Sequence, residues 1–214
     1  MPVRNPPRLP PTMSADRRQA IAAILGIAAL AACSGGSAPG VARHKFNSAD
    51  VSGSSWGGDF HLQDPEGRVR TLADYFGKVV VVFFGYTQCP DVCPTTLLRF
   101  KKVMRILGDD ADKLQVIFIT VDPERDTAEV LKAYLPLFDP RFLGLRGSAE
   151  ETAAAAASFH AFYEKLPGPT PTSYAMNHSA FGYAIDKGGH ARLLIPHNLE
   201  ADAVAEDLRY VIET

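Results

Sequence analysis

The stretch KVVVVFFGYTQCPDVCPTTLL, residues 78–98, decides how the rest of the chain is organised. Its first part, Val79 to Phe84, holds only β-branched and aromatic residues, which predicts a central strand covered on both faces. Gly85 then permits a sharp exit from the strand. A proline after the second cysteine suits the first turn of a helix, because its missing N–H would have no partner there. The stretch therefore predicts a buried strand that delivers Cys89 and Cys93 to a helix start.

Two cysteines at a helix start are candidates for reaction or for metal binding. Unpaired N–H groups and the helix dipole at that end favour thiolate over thiol. In a helix, residues four apart have Cα atoms roughly 6 Å apart, within the range that a disulfide can close. Cys89 and Cys93 could instead hold one soft metal ion, which would need a third ligand from elsewhere. A structural disulfide, a redox couple and a metal site are all open, although so short a loop constrains the unfolded chain little.

The N-terminal segment has the features of a secretory signal. Two arginines precede an apolar run from Ala20 to Ala32, which is too short for an ordinary membrane span. The run ends in Leu-Ala-Ala-Cys, which resembles the bacterial lipobox and implies cleavage before Cys33 and lipidation of its sulfur. The alternative is a plain signal peptide with an incidental cysteine. We therefore expect a lipoprotein signal peptide at residues 1–32 and a protein anchored to a membrane of the bacterial cell envelope, facing the periplasm.

Composition bounds the rest of the chain. The 214 residues, 46% apolar and 21% charged, suffice for one globular domain with a terminal extension. Removing the four arginines and one aspartate of residues 1–32 from totals of 22 basic and 24 acidic residues leaves 18 and 23, a net charge of −5. This charge argues against nucleic acid as a partner. Residues 33–55, rich in Ser, Gly and Ala, read as a flexible tether, and residues 56–214 as the domain.

Strand and helix patterns alternate through that domain. They comprise a β-hairpin at 59–72, the central strand, a helix at 94–108, a strand at 114–121, a helix at 127–135 with Asp126 as its N-cap, a short strand at 142–145, an alanine-rich helix from the capping box at 148–151 to about 166, strands at 174–185 and 191–195, and a helix at 198–214. This order predicts an α/β domain with a central mixed sheet flanked by helices and an N-terminal β-hairpin. Two thiols at a strand-to-helix junction suggest a thioredoxin-like fold.

Three features together resemble the SCO/SenC family of copper-binding, thioredoxin-like proteins that assist assembly of cytochrome c oxidase. They are FGYTQCPDVCPTTL at 84–97, VDPERDT at 121–127 and His178, and the resemblance covers about residues 56–214. It implies that Cys89, Cys93 and His178 are copper ligands. The residue before the histidine is usually aspartate in the family but is asparagine here, at position 177. A carboxylate there would raise the basicity of the ligand set.

The resemblance implies a metallochaperone that binds one copper ion per chain, as Cu(I) or Cu(II). Thiolates suit Cu(I) and imidazole tolerates Cu(II), so the chemistry agrees. The implied partner is subunit II of cytochrome c oxidase, whose dinuclear copper (CuA) centre would receive the ion, with other periplasmic copper chaperones and thiol reductants as further partners. The alternative is a membrane-anchored thiol–disulfide oxidoreductase that uses Cys89 and Cys93 as a redox pair on the cysteines of subunit II or in redox signalling. A disulfide between the two cysteines would bind no copper.

Roles are also expected for several other residues in and near these motifs. Met176 would share a strand face with His178, where its thioether could approach the metal, but core packing is the favoured interpretation. Tyr86 is expected to shield the thiols. The acidic residues of the second motif could act in acid–base chemistry or partner docking, or simply in helix capping and turns: Asp122, Glu124 and Asp126. The remaining histidines are expected at the surface or in packing: His44, His61, His160, His190 and His197.

Overall fold

A computed structural model describes residues 44–170 and 173–214, and the compact unit begins at Lys45. Its strands are β1 (Ala49–Asp50), β2 (Leu62–Gln63), β3 (Val69–Arg70), β4 (Val79–Gly85), β5 (Leu114–Thr120), β6 (Leu143–Leu145), β7 (Tyr163–Pro167), β8 (Tyr174–His178), β9 (Phe181–Ile185) and β10 (Ala191–Pro196). Its α-helices are α1 (Val92–Leu107), α2 (Ala128–Tyr134), α3 (Ala149–Ser158) and α4 (Ala201–Glu213). Among the described residues, none of the helices has the length and apolar character needed to cross a membrane.

Six strands form one mixed sheet in the order β1-β10-β9-β4-β5-β6. Strands β4, β5 and β6 run parallel to one another, whereas β9 pairs with β4 in the antiparallel sense and β10 with β9 likewise. Strand β4 lies in the middle and is buried at every position. A strand without polar alternation pairs its backbone on both edges and buries both of its faces inside such a sheet. The predicted central strand and mixed α/β sheet are therefore confirmed.

The side chains of β4 alternate between two halves of the core. On one face Phe83 packs against Phe118 of β5, with ring centroids 6.1 Å apart. On the other face Phe84 packs against Phe159 and Tyr183 at 5.6 and 5.9 Å. Helix α1 starts a few residues after β4, and its Cys93 sulfur lies beside Gly85, on the same face of the strand as Phe83. This geometry sets the start of α1 beside the carboxyl end of the central strand.

Two of the predicted elements differ in the structure. The alanine-rich helix α3 begins at the predicted capping box, but it ends at Ser158 instead of about residue 166. His160 then adopts a left-handed backbone with φ of 50°, which turns the chain out of the helix. Residues 163–167 form β7, which pairs antiparallel with β8. The predicted strand at 174–185 is accordingly two strands in two different sheets, with the break after His178.

Two boundaries also differ. Thr127, rather than Asp126, caps α2: its side chain accepts a hydrogen bond from the Val130 N–H. The folded unit starts at Lys45 rather than at residue 56, because β1 pairs with β10 at the edge of the main sheet. The carboxylate of Asp207 in α4 accepts the backbone N–H of Ser48 at 2.7 Å, which ties this segment to the domain. The later part of the predicted tether therefore belongs to the fold.

The predicted hairpin at 59–72 consists of two short strands, β2 and β3, which pair antiparallel over two residues each. The turn between them is built on Asp64, whose carboxylate accepts backbone N–H groups from Glu66 and Arg68. The predicted signal peptide at 1–32, the lipidation of Cys33 and the first part of the tether lie outside the described residues.

Candidate metal centre

The two cysteines lie on the loop after β4 and in the first turn of α1. Asp91 is the N-cap residue, so the helix starts at Val92 and places Cys93 in its first turn. Cys93 is fully buried, whereas Cys89, in the loop, is partly exposed. The backbone N–H of Cys93 donates to the Cys89 sulfur at 3.4 Å. A backbone N–H group that has no partner within the helix thus donates to the sulfur of Cys89. This sulfur is the more accessible of the two.

The environment separates the acidities of the two thiols. A hydrogen bond from the Cys93 side chain, with further ones from the backbone at Asp91 and Cys93, lowers the pKa of Cys89 to about 3, against the opposing effect of burial. The same bond to Cys89, together with burial, raises the pKa of Cys93. The reduced pair therefore holds one proton at neutral pH, with the thiolate on Cys89 and the thiol on Cys93.

His178 reaches the thiols from the end of β8. Its Nε2 lies 3.3 Å from the Cys93 sulfur, and its Nδ1 lies 3.0 Å from the carbonyl oxygen of Ser179. A carbonyl only accepts, so Nδ1 carries the proton and Nε2 presents its lone pair toward the sulfurs. The rings of Phe83 and Tyr86 meet the imidazole edge-on at 6.0 and 5.9 Å. These aromatic contacts hold the ring, and the buried Tyr86 shields the site as expected.

The structure brings the three predicted ligands together. One donor atom from each of Cys89, Cys93 and His178 lies within 4.8 Å of the others. In the described residues this is the one such group of three or more metal-ligating side chains. Two sulfurs and one imidazole nitrogen suit a soft or borderline metal, which means copper or zinc. A structural zinc site would need a fourth protein ligand, so the set fits copper better.

Gly85 is the last residue of β4, as predicted, and it has a second role beside the thiols. A Cβ atom added at this position would lie 2.9 Å from the Cys93 sulfur and 2.8 Å from the Phe118 ring. The glycine therefore also allows the sulfur to approach the backbone of the central strand closely. Sequence alone offered no sign of this contact, because α1 and β4 meet only in the folded domain.

A buried carboxylate supports the loop that carries Cys89. Asp126 accepts hydrogen bonds from the Thr87 N–H at 3.0 Å, from the Thr87 hydroxyl at 2.5 Å and from the Thr120 hydroxyl at 2.6 Å. Burial raises the pKa of Asp126, and these three donors oppose that shift. Asp126 thus links the loop at residues 86–91, which we call the thiol loop, to the end of β5. The VDPERDT motif marked this residue, but its contacts follow from the pairing of β4 with β5.

The other candidates do not join the three ligands. Met176 packs against the core and lines a cavity of about 340 Å³ with Thr152 and Tyr163, which supports the packing reading. Asp122 is ion-paired with Arg125, and Glu124 pairs with Lys165 at 2.8 Å. Three further histidines make contacts away from the thiols, as expected: His61 with Asp59, His160 with the Trp56 ring, and His190 with Asp186.

Comparison with known proteins points to one family. A family model described as SCO1/SenC matches residues 48–213. The human protein "Protein SCO2 homolog, mitochondrial" is 37% identical over 154 residues, which cover 71% of this chain and 58% of the human protein. The chain spans about half to two thirds of the length of the first curated relatives that it matches.

Solved structures agree with this match. ScoI of Bradyrhizobium japonicum, solved with copper bound, is 40% identical, with a TM-score of 0.68 over 73% of this chain and 99% of that one. Yeast Sco1, also solved with copper bound, is 32% identical, with a TM-score of 0.69 over 74% of this chain and 89% of that one. The family match, which covers most of the chain, and the shared fold lead to one conclusion: this chain belongs to the SCO1/SenC family.

Proposed function

We propose that this protein binds one copper ion per chain through Cys89, Cys93 and His178 and carries it to the CuA centre of cytochrome c oxidase subunit II. The observation that carries the proposal is the convergence of the three donor atoms within 4.8 Å of one another. The copper-bound Bradyrhizobium and yeast relatives support the choice of metal.

The three ligands would serve the two oxidation states of copper differently. Two thiolates suit Cu(I), whereas the imidazole Nε2 adds the borderline nitrogen donor that Cu(II) favours. Copper displaces the proton that the reduced pair retains on Cys93, because thiols bind metals as thiolates. The Nδ1–H of His178 donates to the Ser179 carbonyl, which fixes the tautomer that binds through Nε2.

Exposure of the ligands suits transfer of the ion to another protein. Cys89 is partly exposed on its loop and Cys93 is fully buried. A thiolate of the acceptor can therefore reach copper from the side of Cys89, while Cys93 remains bound until last. Because ligands can be exchanged one at a time, the ion need not become free in solution.

A second candidate function is thiol–disulfide exchange, which the unequal pKa values of the two cysteines favour. The Cys89 thiolate would attack a disulfide of subunit II, form a mixed disulfide and release one target thiolate, which takes the proton of Cys93. The Cys93 thiolate would then attack the Cys89 sulfur and release the second target thiolate. Two electrons pass to the target, and a thiol reductant regenerates the pair. The two functions are compatible, since a target must be reduced before it accepts copper.

We further propose that lipidation at Cys33 anchors the mature protein to a bacterial membrane, with the domain facing the periplasm and receiving copper from other periplasmic copper chaperones. The Leu-Ala-Ala-Cys sequence at the end of the apolar run supports this. Replacement of Cys33 by alanine should abolish lipid labelling and release the domain from membranes, whereas unchanged labelling would contradict the proposal.

The decisive experiment compares His178→Ala with His190→Ala, a matched control whose exposed ring contacts Asp186 instead of the thiols. Copper-loaded protein is mixed with the reduced, metal-free CuA domain of subunit II, and the CuA spectrum is followed. We expect wild type and His190→Ala to transfer copper, and His178→Ala to lose stable Cu(II) binding while its thiols titrate normally. Full transfer by His178→Ala at limiting copper would refute the role of His178 as a ligand, and a wild-type protein that transfers no copper would refute the chaperone assignment and favour thiol exchange.

A further inference from the structure

The imidazole of His178 is carried by a separate two-stranded arm, formed by β7 and β8. Within the described part of the chain, these strands pair with each other and with no strand of the main sheet. The cysteines belong instead to the loop and helix that follow β4. The distance between the imidazole and the sulfurs therefore depends on how the arm is held against the thiol loop.

Arg125 contacts the arm and the thiol loop simultaneously. Its Nη1 donates to the carbonyl oxygen of Tyr174, the first residue of β8, at 3.0 Å, and to the side-chain oxygen of Gln88 at 3.3 Å. Gln88 directly precedes Cys89. The guanidinium carbon lies 3.6 Å from the centroid of the Tyr174 ring and 5.6 Å from that of Tyr86, the ring that meets His178 edge-on. One side chain thus joins the two halves of the site.

The surroundings hold Arg125 in this orientation. Its Nε donates to the carboxylate of Asp122, which is almost fully buried, and the Tyr174 hydroxyl donates to the other oxygen of the same carboxylate at 2.8 Å. On the outer side of the Tyr174 ring, the Lys165 ammonium lies 3.9 Å from the centroid and pairs with Glu124. A planar guanidinium can stack on a ring and donate in several directions at once, which an ammonium cannot do. The set therefore requires arginine specifically.

We propose that Arg125 is a positioning residue that docks the arm on the thiol loop and thereby sets the place of His178 relative to Cys89 and Cys93. Strand β8 connects to β9 of the main sheet through residues 179–180 at its His178 end, whereas Arg125 secures its Tyr174 end, about 13 Å away at 3.3 Å per residue. Without Arg125 the arm keeps its covalent attachment, the packing of Met176 and the hydrogen bond from Tyr174 to Asp122, but it loses the bridge from its Tyr174 end to Gln88. The inference rests on the proposed copper site and not on delivery to an oxidase.

The consequence differs between the two oxidation states. Loss of a group that orients a metal ligand typically lowers metal affinity about 10- to 100-fold, so we expect Arg125→Ala to raise the Kd for Cu(II) by about tenfold or more. We expect the Kd for Cu(I) to change by less than about threefold, because two thiolates alone suit that ion. Arg125→Lys should recover only part of the loss, since lysine keeps the charge but cannot bridge Gln88 and Tyr174.

The matched control is Arg70→Ala. Arg70 is also partly buried and donates to a buried carboxylate, that of Asp64, at 2.9 Å, but it lies in β3. Four proteins are compared: wild type, Arg125→Ala, Arg125→Lys and Arg70→Ala. The measurements are Cu(II) affinity by chelator competition, the thiolate-to-copper absorption band, the melting temperature, and NMR contacts between the rings of His178 and Tyr86 in the metal-free protein.

We expect Arg125→Ala to lose the contact between the His178 and Tyr86 rings and to bind Cu(II) weakly, whereas Arg70→Ala keeps both properties even where its melting temperature falls. Wild-type Cu(II) affinity and an unchanged ring contact in Arg125→Ala would overturn the inference. An equal loss of Cu(II) affinity in Arg70→Ala would also overturn it, because general destabilisation would then be the cause. Wild-type protein that binds no copper would refute the proposed function, whereas the ring contact would still report on the arm.

Discussion

Substitution of Gly85 by alanine tests how precisely the Cys93 sulfur must be placed. The added Cβ would lie 2.9 Å from that sulfur and 2.8 Å from the Phe118 ring. An ordinary contact between such atoms is about 3.5 to 4.0 Å, so the sulfur must move by about 0.6 to 1.1 Å or the strand must shift by as much. A metal ligand is tolerated only within about 0.2 Å of its ideal distance. We therefore expect Gly85→Ala to disrupt copper binding.

Overpacking of a core also lowers stability, typically by about 1–3 kcal/mol, so copper loss alone would not identify the cause. Gly144→Ala is the matched control. Gly144 lies on β6, is buried, and its added Cβ would lie 2.8 Å from a methyl group of Leu135, away from the thiols. Both variants should lose similar stability in urea unfolding, whereas only Gly85→Ala should lose about tenfold or more in copper affinity, the scale seen when a ligand is misplaced.

The assay is chelator competition on the reduced proteins, with urea unfolding of the same samples. Gly85→Ala with wild-type copper affinity and a clear stability loss would refute the reasoning, because the sulfur would then have adapted without consequence. Equal copper loss in Gly144→Ala would refute it as well.

Three further predictions concern the thiolate, the buried carboxylate and the asparagine before the imidazole. Because the pKa of Cys89 is lowered to about 3, its thiolate persists down to pH 5, and its alkylation rate should change by less than about twofold between pH 5.5 and 8, whereas an ordinary thiol would gain over about 100-fold. In Cys93→Ala, which removes the main hydrogen bond to that sulfur, a rise with pH should return. Asp126→Ala leaves the N–H and hydroxyl of Thr87 without their acceptor and should lower the free energy of unfolding by about 1–3 kcal/mol in urea titration. Asn177→Asp should change copper affinity by less than about threefold, because the exposed side chain alternates away from His178 along β8 and so cannot orient the imidazole.

Each of these three predictions has a measurable outcome that would contradict it. A Cys89 alkylation rate that climbs tenfold per pH unit would contradict the assigned thiolate. Asp126→Ala with unchanged stability would show that water replaces the carboxylate without cost. A large gain of copper affinity in Asn177→Asp would mean that a carboxylate at this position reaches the imidazole after all. The exposed Asn198→Asp offers a control for the added charge.

The central strand and the cysteine pair of this protein could be predicted from local sequence. The β-branched and aromatic run of β4 indicated a buried strand, and the spacing of Cys89 and Cys93 before a helix-forming segment indicated a reactive pair at a helix start. These properties depend on residues close together in the chain, where steric preference and hydrogen-bonding pattern act without help from distant segments. The capping box at the start of α3 was predictable for the same reason.

The arm was not predictable in this way. Residues 163–167 follow an alanine-rich helix and were expected to continue it, but they form β7, which is mostly exposed and pairs with β8. The pattern of this segment has no strong period of either kind, so the backbone hydrogen bonds to a strand later in the chain decide its conformation. The same pairing divides what looked like one strand into β8 and β9.

For His178, local sequence predicted the secondary structure, whereas tertiary structure sets its distance from the thiols. Its type and its place in a strand were evident, and the family resemblance named it as a ligand. Only the fold sets its Nε2 3.3 Å from the sulfur of Cys93, a residue 85 positions earlier in the chain. The single proton shared by the two thiols and the contacts of Arg125 with Gln88 and Tyr174 likewise exist only after the arm, the loop and the helix have met. Distance and burial fix these electrostatic properties, and both arise from contacts between segments that are far apart in sequence.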